Sequence, residues 1–264
     1  MRISVVTVSY NQACYLDEAL GSVLGQGYSD LEYVVVDGGS TDGSRDVIRR
    51  HADGLAWWCS EPDAGPAAAL NKGIARCTGE ILGVLNADDR LLPGALAAVA
   101  DHFRHYPDTD VLSGHGVEID ADGCPVRPLY SDRWSLRRYV HGRCVLVQPA
   151  TFVRLERVVA AGGFNEHNRT SWDGELWVDL ALQGARWRRT DRPLAEFRVH
   201  PDSITGSGAR LQQYRADHAA LAERVRPGAS RSRLGPPLAR LEQTLTDPLL
   251  VARRAWARLR HARR

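Results

Sequence analysis

Lysine is all but missing from this 264-residue chain, where Lys72 stands against 33 arginines. That bias reads as a codon habit. Net charge is nearly missing as well, since 34 basic side chains meet 32 acidic ones for a formal +2. Six arginines and no acid lie between Val251 and Arg264, which leaves 28 basic against 32 acidic residues over positions 1–250. A mildly acidic body lacks the basic stripe that nucleic-acid binding requires, so no nucleic-acid partner is expected.

Cysteine pairs are absent too. Cys14, Cys59, Cys77, Cys124 and Cys144 are odd in number and far apart, with neither a C-x-x-C pair nor zinc spacing. They are expected to be free, buried thiols of a reducing compartment. No apolar run approaches the roughly 18 residues of a membrane span. The N-terminus enters a strand pattern at once, without the regions of a signal peptide, so a cytoplasmic location is expected. With 44% hydrophobic and 25% charged residues, the composition is that of a globular protein with a sizeable core, which excludes a disordered chain, a collagen and a disulfide miniprotein.

Apolar runs and helical patterns alternate through residues 1–106. Ile3–Ser9, Leu31–Val36, Leu55–Cys59 and Glu80–Leu85 read as short buried strands. Between them Tyr15–Leu24 carries apolar residues at helical spacing, capping residues gather at Thr41–Ser44, Pro66 opens a helix to about Arg76, and Pro93 opens another to about Tyr106. Continuously apolar strands alternating with helices indicate a parallel sheet covered on both faces. The second half is less regular. It reads as a strand or hairpin at Val111–Asp120, helices at Asp132–Tyr139, Arg154–Ala161 and Asp173–Gln183, and two short strands around a turn within Trp187–Arg198. A helix from Ala209 to Arg224, a loop over Pro227–Pro237 and a terminal helix from Pro248 complete the pattern.

In an open parallel sheet, ligands bind beyond the carboxyl ends of the strands. Those ends carry Ser9-Tyr10-Asn11, Asp37-Gly38-Gly39 and Asn86-Ala87-Asp88-Asp89. The Tyr10 ring offers a stacking face for a base. Asp37 offers an acceptor for a ring N–H, and the two glycines let a ligand approach the backbone. Asp88 and Asp89 supply hard oxygens for Mn²⁺ or Mg²⁺, which would bridge to a diphosphate that Lys72 alone cannot neutralise. Each group also has an ordinary reading, as a turn or a helix cap.

The ordered series SVVTVSYNQACYLDEALGSVLGQ, VVVDGGSTDGS, SEPDAGPAAALNKGI, TGEILGVLNADD, QPATFVR, GGFNE, WDGELWVDLALQGA and FRVHPDSIT resembles the inverting family 2 glycosyltransferases of GT-A fold. It covers about Ile3 to Thr205. The resemblance implies an α/β fold of GT-A type, with a doubly wound, mostly parallel sheet. It would comprise a Rossmann-like nucleotide-sugar half over residues 1–106 and an acceptor half over 107–208, followed by a C-terminal helical extension over 209–264. It implies a nucleoside-diphosphate sugar donor (UDP, GDP or dTDP), a saccharide or lipid-linked acceptor, and Mn²⁺ or Mg²⁺ as cofactor.

Residue by residue, the resemblance places Thr7, Ser9, Tyr10 and Asp37 at the nucleotide, with Asp37 reading the base. Asp63 and Asn71 fall near the nucleotide and its sugar, and Asp88 at ribose and metal. Asp88, Asp89 and His200 are the implied metal ligands. Asp173 is the implied catalytic base, and an inverting transfer independently requires one such carboxylate to take the acceptor's proton. Trp172 and Gln148 fall on the acceptor side, where Gln148 either bonds a sugar hydroxyl or ties down a loop. Asn86, Trp172 and Asp179 depart from the family pattern, which leaves open a protein that binds sugar nucleotides without turnover.

Among rival classes, a Rossmann oxidoreductase is excluded by the lack of G-x-G-x-x-G after the first strand. A nucleotidyltransferase is disfavoured by the lack of a basic, glycine-rich loop there. The tail, with Leu249, Leu250, Trp256, Leu259 and six arginines, is expected to lie on anionic lipid, placing the protein at the inner face of the membrane, to pack on its own domain as a solvated helix, or to be a disordered basic end.

Overall fold

The computed structural model describes residues 1–168, 170–201, 203, 211–228 and 234–261. The first half runs β1 (Ile3–Ser9), α1 (Ala13–Leu24), β2 (Leu31–Asp37), α2 (Ser44–Arg50), β3 (Trp57–Ser60), α3 (Pro66–Ile74), β4 (Ile81–Asn86), β5 (Arg90–Leu91) and α4 (Ala95–His105). The second runs β6 (Val111–Ile119), β7 (Pro125–Leu129), α5 (Leu136–Val140), β8 (Thr151–Arg154), α6 (Leu155–Ala160), α7 (Trp172–Leu182) and β9 (Trp187–Arg198). Helices α8 (Leu211–Val225), α9 (Gly235–Thr246) and α10 (Pro248–His261) follow.

One sheet runs through both halves in the order β3-β2-β1-β4-β8-β6-β9-β5, with β7 paired to β6. Strands β3, β2, β1 and β4 are mutually parallel. β8 pairs antiparallel with β4 and with β6, whereas β6 and β9 are parallel. All seven residues of β1 are buried, as expected for a central strand with both faces covered. Strand alternation sorts its side chains. Ile3 and Val5 pack with Leu16, Leu20 and Val23 of α1, Val47 and Ile48 of α2, and Leu96, Val99 and Phe103 of α4. Val6 and Val8 pack on the other face with Ala67, Ala69 and Leu70 of α3, Val158 of α6, and Trp172, Leu176 and Trp177 of α7. Each such large side chain contributes about 1.5–3 kcal/mol by burial. The parallel strands therefore end together at one rim of the sheet, with Ser9, Asp37, Ser60 and Asn86 as their last residues.

Three expectations change. The two strands expected within Trp187–Arg198 form one strand, β9, whose turn is absorbed as a bulge: the register jumps from Ser113↔Arg189 to His115↔Pro193. Helix α9 was unmarked by any buried apolar pattern. It begins inside the expected loop because Pro236 and Pro237 occupy its first turn, where no N–H is needed. Of the five cysteines, all free, only Cys144 is buried; Cys14 and Cys124 are exposed, because both sit at element boundaries rather than on core faces. Residues 209–210, 229–233 and 262–264, where parts of the expected helices and loop fall, lie outside the described residues. No described helix is long and apolar enough to cross a membrane.

Candidate active site

The loops after β1 and β2 are stapled to each other. Asn11, at φ 52°, donates its N–H to Ser40 Oγ (2.8 Å) and accepts from Thr41 N–H on Oδ1 (2.9 Å). Asp42 accepts from Ala13 N–H (2.8 Å) and from the Ser44 hydroxyl (2.6 Å), capping α1 from across the rim. These bonds hold Asp42 below the usual aspartate range although burial opposes them.

Within this frame Asp37 has no exposed surface. Its oxygens accept from Ser40 N–H (2.9 Å), Ser40 Oγ (2.5 Å) and Ser60 Oγ (2.7 Å). Asp37 thus holds the turn between β2 and α2. Thr7 is likewise in the core, hydrogen-bonded to the Tyr33 hydroxyl at 2.9 Å. Ser9 Oγ, by contrast, is buried at the rim without a hydrogen-bond partner.

The groups left outward are Tyr10, 64% exposed, and Asp63. A Cβ on Gly38 would lie 2.9 Å from Asp63 Oδ2 and 3.3 Å from Tyr10 Cδ2, so ring and carboxylate flank the same bare backbone. Asp63 Oδ1 accepts from Gly65 N–H at 2.7 Å.

At the end of β4 the two aspartates divide. Asp89 is buried, accepting from Arg198 N–H (2.9 Å) and Asn86 Nδ2 (3.3 Å). Burial, and then the Asp88 carboxylate, push its pKa well above the aspartate range. In this arrangement its oxygens face Arg198 N–H and Asn86 Nδ2. Asp88 stays partly exposed, with Oδ2 3.2 Å from His200 Nε2. His200 is buried, its ring 4.8 Å from that of Tyr15.

Arg198 fixes the pair. Its buried guanidinium donates to Asp88 O (2.8 Å), Ala121 O (2.9 Å) and Glu18 Oε2 (2.7 Å), and lies over the Tyr15 ring. Neither Arg198 nor Glu18 was singled out from sequence. An arginine among 33 carries no signal unless one asks which arginine ends a strand two residues before a site histidine.

No group of three or more metal-ligating side chains occurs among the described residues. Asp88 and His200 nonetheless supply one carboxylate oxygen and one imidazole nitrogen converging on one point. That set fits Mn²⁺ or Mg²⁺ whose remaining positions are filled by a substrate diphosphate and water.

Asp173 lies in the first turn of α7, after the N-cap residue Ser171. It is partly buried. Burial raises its pKa, opposed by hydrogen bonds from the Gly174 and Asp173 backbone N–H groups. Among the described residues no cation pairs with it. Its neighbours on α7 differ: Glu175 and Asp179 are both held by Arg224 of α8, at 3.4 and 2.6 Å.

The Tyr139 hydroxyl of α5 closes over this turn so tightly that a Cβ on Gly174 would lie 1.9 Å from it. Asp217 of α8 accepts from Thr170 Oγ1, and His218 Nε2 lies 3.1 Å from Tyr139 O. Tyr139, Tyr214 and Arg224 were not anticipated, since nothing local to them marks a site.

The remaining candidates are ties. Asn71 donates to Phe164 O (2.8 Å) and accepts from Phe164 N–H (2.8 Å), stapling α3 to the Gly163-Phe164 loop. Gln148 donates to Val84 O (2.9 Å) and accepts from Asn86 Nδ2 (3.2 Å). Trp172 is a buried side chain, 5.3 Å from Phe164 centre to centre. Gln148 and Trp172 wall one small cavity, so the first turn of α7 abuts the end of β4. The three departures from the family pattern thus have internal occupations: Asn86 bonds Gln148 and Asp89, Trp172 fills the core and Asp179 pairs with Arg224.

A four-stranded parallel sheet, extended by a mixed half and carrying carboxylates at its rim, is the architecture of a GT-A fold. Residues 4–145 match the sequence model of glycosyl transferase family 2, and the chain belongs to that family. An uncharacterized glycosyltransferase of Nostoc sp. is 38% identical over 131 residues, which cover 46% of this chain and 40% of that protein. One from Mycobacterium tuberculosis is 31% identical over 186 residues, covering 68% and 69%. TuaG of Bacillus subtilis, described as a putative teichuronic acid biosynthesis glycosyltransferase, is 26% identical over 208 residues, covering 78% and 82%.

Among solved structures, the mannosyltransferase PcManGT of Pyrobaculum calidifontis, in complex with GDP-Man and Mn²⁺, superposes with a TM-score of 0.67 at 24% identity, covering 99% of this chain and 75% of that one. Residues 1–349 of Staphylococcus aureus TarS with UDP-GlcNAc give 0.65 at 21% identity, covering 78% and 61%.

Proposed function

We propose that this glycosyltransferase is a metal-dependent inverting enzyme. It moves a sugar from a UDP-, GDP- or dTDP-sugar to a hydroxyl of a saccharide or lipid-linked acceptor in cell-surface polysaccharide synthesis. Residues 1–208 are its catalytic domain. The observation that carries the reading is Asp173: among the described residues it is the acid of α7 with no paired cation, and burial raises its affinity for a proton.

In the reaction, Asp173 takes the proton of the acceptor hydroxyl as that oxygen bonds to the anomeric carbon from the face opposite the leaving group. The bond from the anomeric carbon to the diphosphate oxygen breaks, and the nucleoside diphosphate departs with the electron pair. Tyr10 stacks on the base, Asp63 accepts from its ring N–H, and Ser9 Oγ offers its unused bonding capacity beside them. Asp88 and His200 hold the divalent ion, oriented by Arg198. When bound, that ion supplies Lewis-acid stabilisation of the leaving diphosphate. TuaG supports the polysaccharide assignment, and PcManGT supports Mn²⁺ with a nucleotide sugar.

A thermal-shift series with UDP-, GDP- and dTDP-sugars and Mn²⁺ tests this. One donor class is expected to raise Tm in a concentration-dependent way, because ligand bound to the native state stabilises it by mass action. EDTA is expected to abolish both shift and turnover. No shift with any donor, or full turnover in EDTA, would overturn the reading.

A further inference from the structure

The C-terminal helices carry an exposed apolar stripe, clearest on α9. On α9, Leu238, Leu241 and Leu245 are 48%, 56% and 73% exposed, and Leu234 at its N-cap is 72% exposed. Their spacing of four, three and four residues keeps them within one narrow arc of the helix. On α10, Leu249 and Trp256, seven residues apart and so on one face, are also exposed. The opposite side of α9 is attached to the body: Ala239 is buried, and Gln243 donates to Asp132 Oδ1 at 2.7 Å.

Charge decides what fits this surface. Residues 226–264 hold ten arginines against two acids, Glu242 and Asp247. Both acids turn inward. Glu242 faces Arg137 and Arg138 at 3.6 and 3.7 Å and accepts from Ser135 Oγ, while Asp247 pairs with Arg189. Alongside the stripe, Arg143 and Arg240 are exposed and line one open groove with Pro236, Pro237 and Leu241. Leucines flanked by arginines, with no acid turned outward among the described residues of this segment, match an anionic lipid surface. The leucines would enter the acyl boundary and the arginines would meet the headgroup phosphates.

We infer that α9, continued by Leu249 and Trp256 of α10, docks this protein on an anionic membrane. The basic tail anticipated from sequence is a poorer candidate on its own. Leu250 is buried, Arg254 is tied to Asp132 at 3.0 Å, and Arg253 pairs with Asp191 at 3.2 Å.

The placement also bears on catalysis. α9 backs onto α5 through Arg138–Glu242, and Tyr139 of α5 lies against the turn that carries Asp173. On the function proposed above, on which this step rests, the membrane-facing side is the acceptor side, as a lipid-linked acceptor requires.

The test is co-sedimentation with vesicles of equal parts phosphatidylcholine and phosphatidylglycerol, compared with phosphatidylcholine alone. The protein is expected to sediment with the anionic vesicles. The triple variant Leu238→Ser, Leu241→Ser, Leu245→Ser is expected to lose about tenfold or more in partitioning, from the lost apolar burial. Because these side chains are exposed, its Tm is expected to stay at the parent value. The pair Arg143→Gln, Arg240→Gln is expected to weaken binding to anionic vesicles alone. Equal sedimentation of parent and triple variant would overturn the inference. So would a parent that ignores anionic vesicles, or a parent dimer that the leucine substitutions convert to monomer, since the stripe would then be covered by a second copy. Donor-induced thermal shifts measured on the same proteins separate this result from the donor reading: loss of vesicle binding with an intact donor shift isolates the docking surface, and absence of a shift in parent and variant alike counts against the donor reading only.

Discussion

The two sides of the site are built in opposite ways. On the nucleotide side, polar residues that follow the strands bond mainly to one another across a single rim: Asn11 to Ser40 and Thr41, Asp42 to Ala13 and Ser44, Asp37 to Ser40 and Ser60. Only a few groups, Tyr10, Asp63, Asp88 and the Ser9 hydroxyl, are left for a ligand. On the Asp173 side no cation among the described residues pairs with the carboxylate, and what lies near it comes from distant segments: Tyr139 from α5 and Tyr214 from α8. A rim whose acids are mostly hydrogen-bonded is a rigid frame for a ligand. One acid left without a counter-charge is suited to exchange a proton.

The largest expected consequence concerns the division between Asp88 and Asp89. Asp88→Ala is expected to lower transfer about 100-fold or more, the several kcal/mol typical of a lost metal contact, with Tm little changed. Asp89→Ala should instead lower Tm, because it orphans the buried Arg198 N–H. Initial rates across a Mn²⁺ titration, with melting curves, would show it; a stable, slow Asp89→Ala protein would break the distinction.

Next in size, Gly174→Ala is expected to destabilise the fold by about 1–3 kcal/mol through overpacking against Tyr139. Removing the hydroxyl with Tyr139→Phe in the same chain should recover part of that loss in a denaturant titration. An undiminished midpoint for the single variant would show that the aromatic lid is loose.

Much of the rim was legible because its signals are local. The all-buried run of β1 and the Asp-Gly-Gly and Asn-Ala-Asp-Asp turns sit where strand ends must be. What local pattern does not carry is orientation. An aspartate after a strand reads the same whether it is part-exposed with one backbone donor, as at Asp63, or buried among three hydroxyl and N–H donors, as at Asp37. Trp172 reads as an acceptor contact from its neighbour Asp173, yet in the first turn of α7 it points to the core while Asp173 does not. Helix α9 was illegible for a converse reason: its leucines face outward, so its periodicity marks no core, and two prolines precede them.

That difference between Asp37 and Asp63 gives a smaller but sharper pair of outcomes. Asp63→Asn is expected to weaken donor binding about tenfold, the range of one hydrogen bond to a charged group, at unchanged Tm. Asp37→Asn is expected to lower Tm by replacing an acceptor with a donor among its three partners. Calorimetric titration of the donor would separate them, and the opposite pattern would restore Asp37 as the base reader.

Smallest of all is a pH effect on stability. Folding raises the pKa of Asp173, so the unfolded chain binds fewer protons than the native one between the two values. Stability contributed by this group is therefore expected to fall as pH rises from the ordinary aspartate value through the raised one, and to be level above it. Asp173→Asn should lack that slope in melting curves across the acidic range, whereas an unaltered slope would assign it to another group.

The measurement that bears most directly on the account is the Asp173→Asn enzyme assayed two ways: donor affinity by calorimetry and transfer to an acceptor hydroxyl. The account predicts an unchanged donor Kd with transfer reduced about 10²–10⁴-fold, the usual contribution of a general base. Transfer at the parental rate would contradict it.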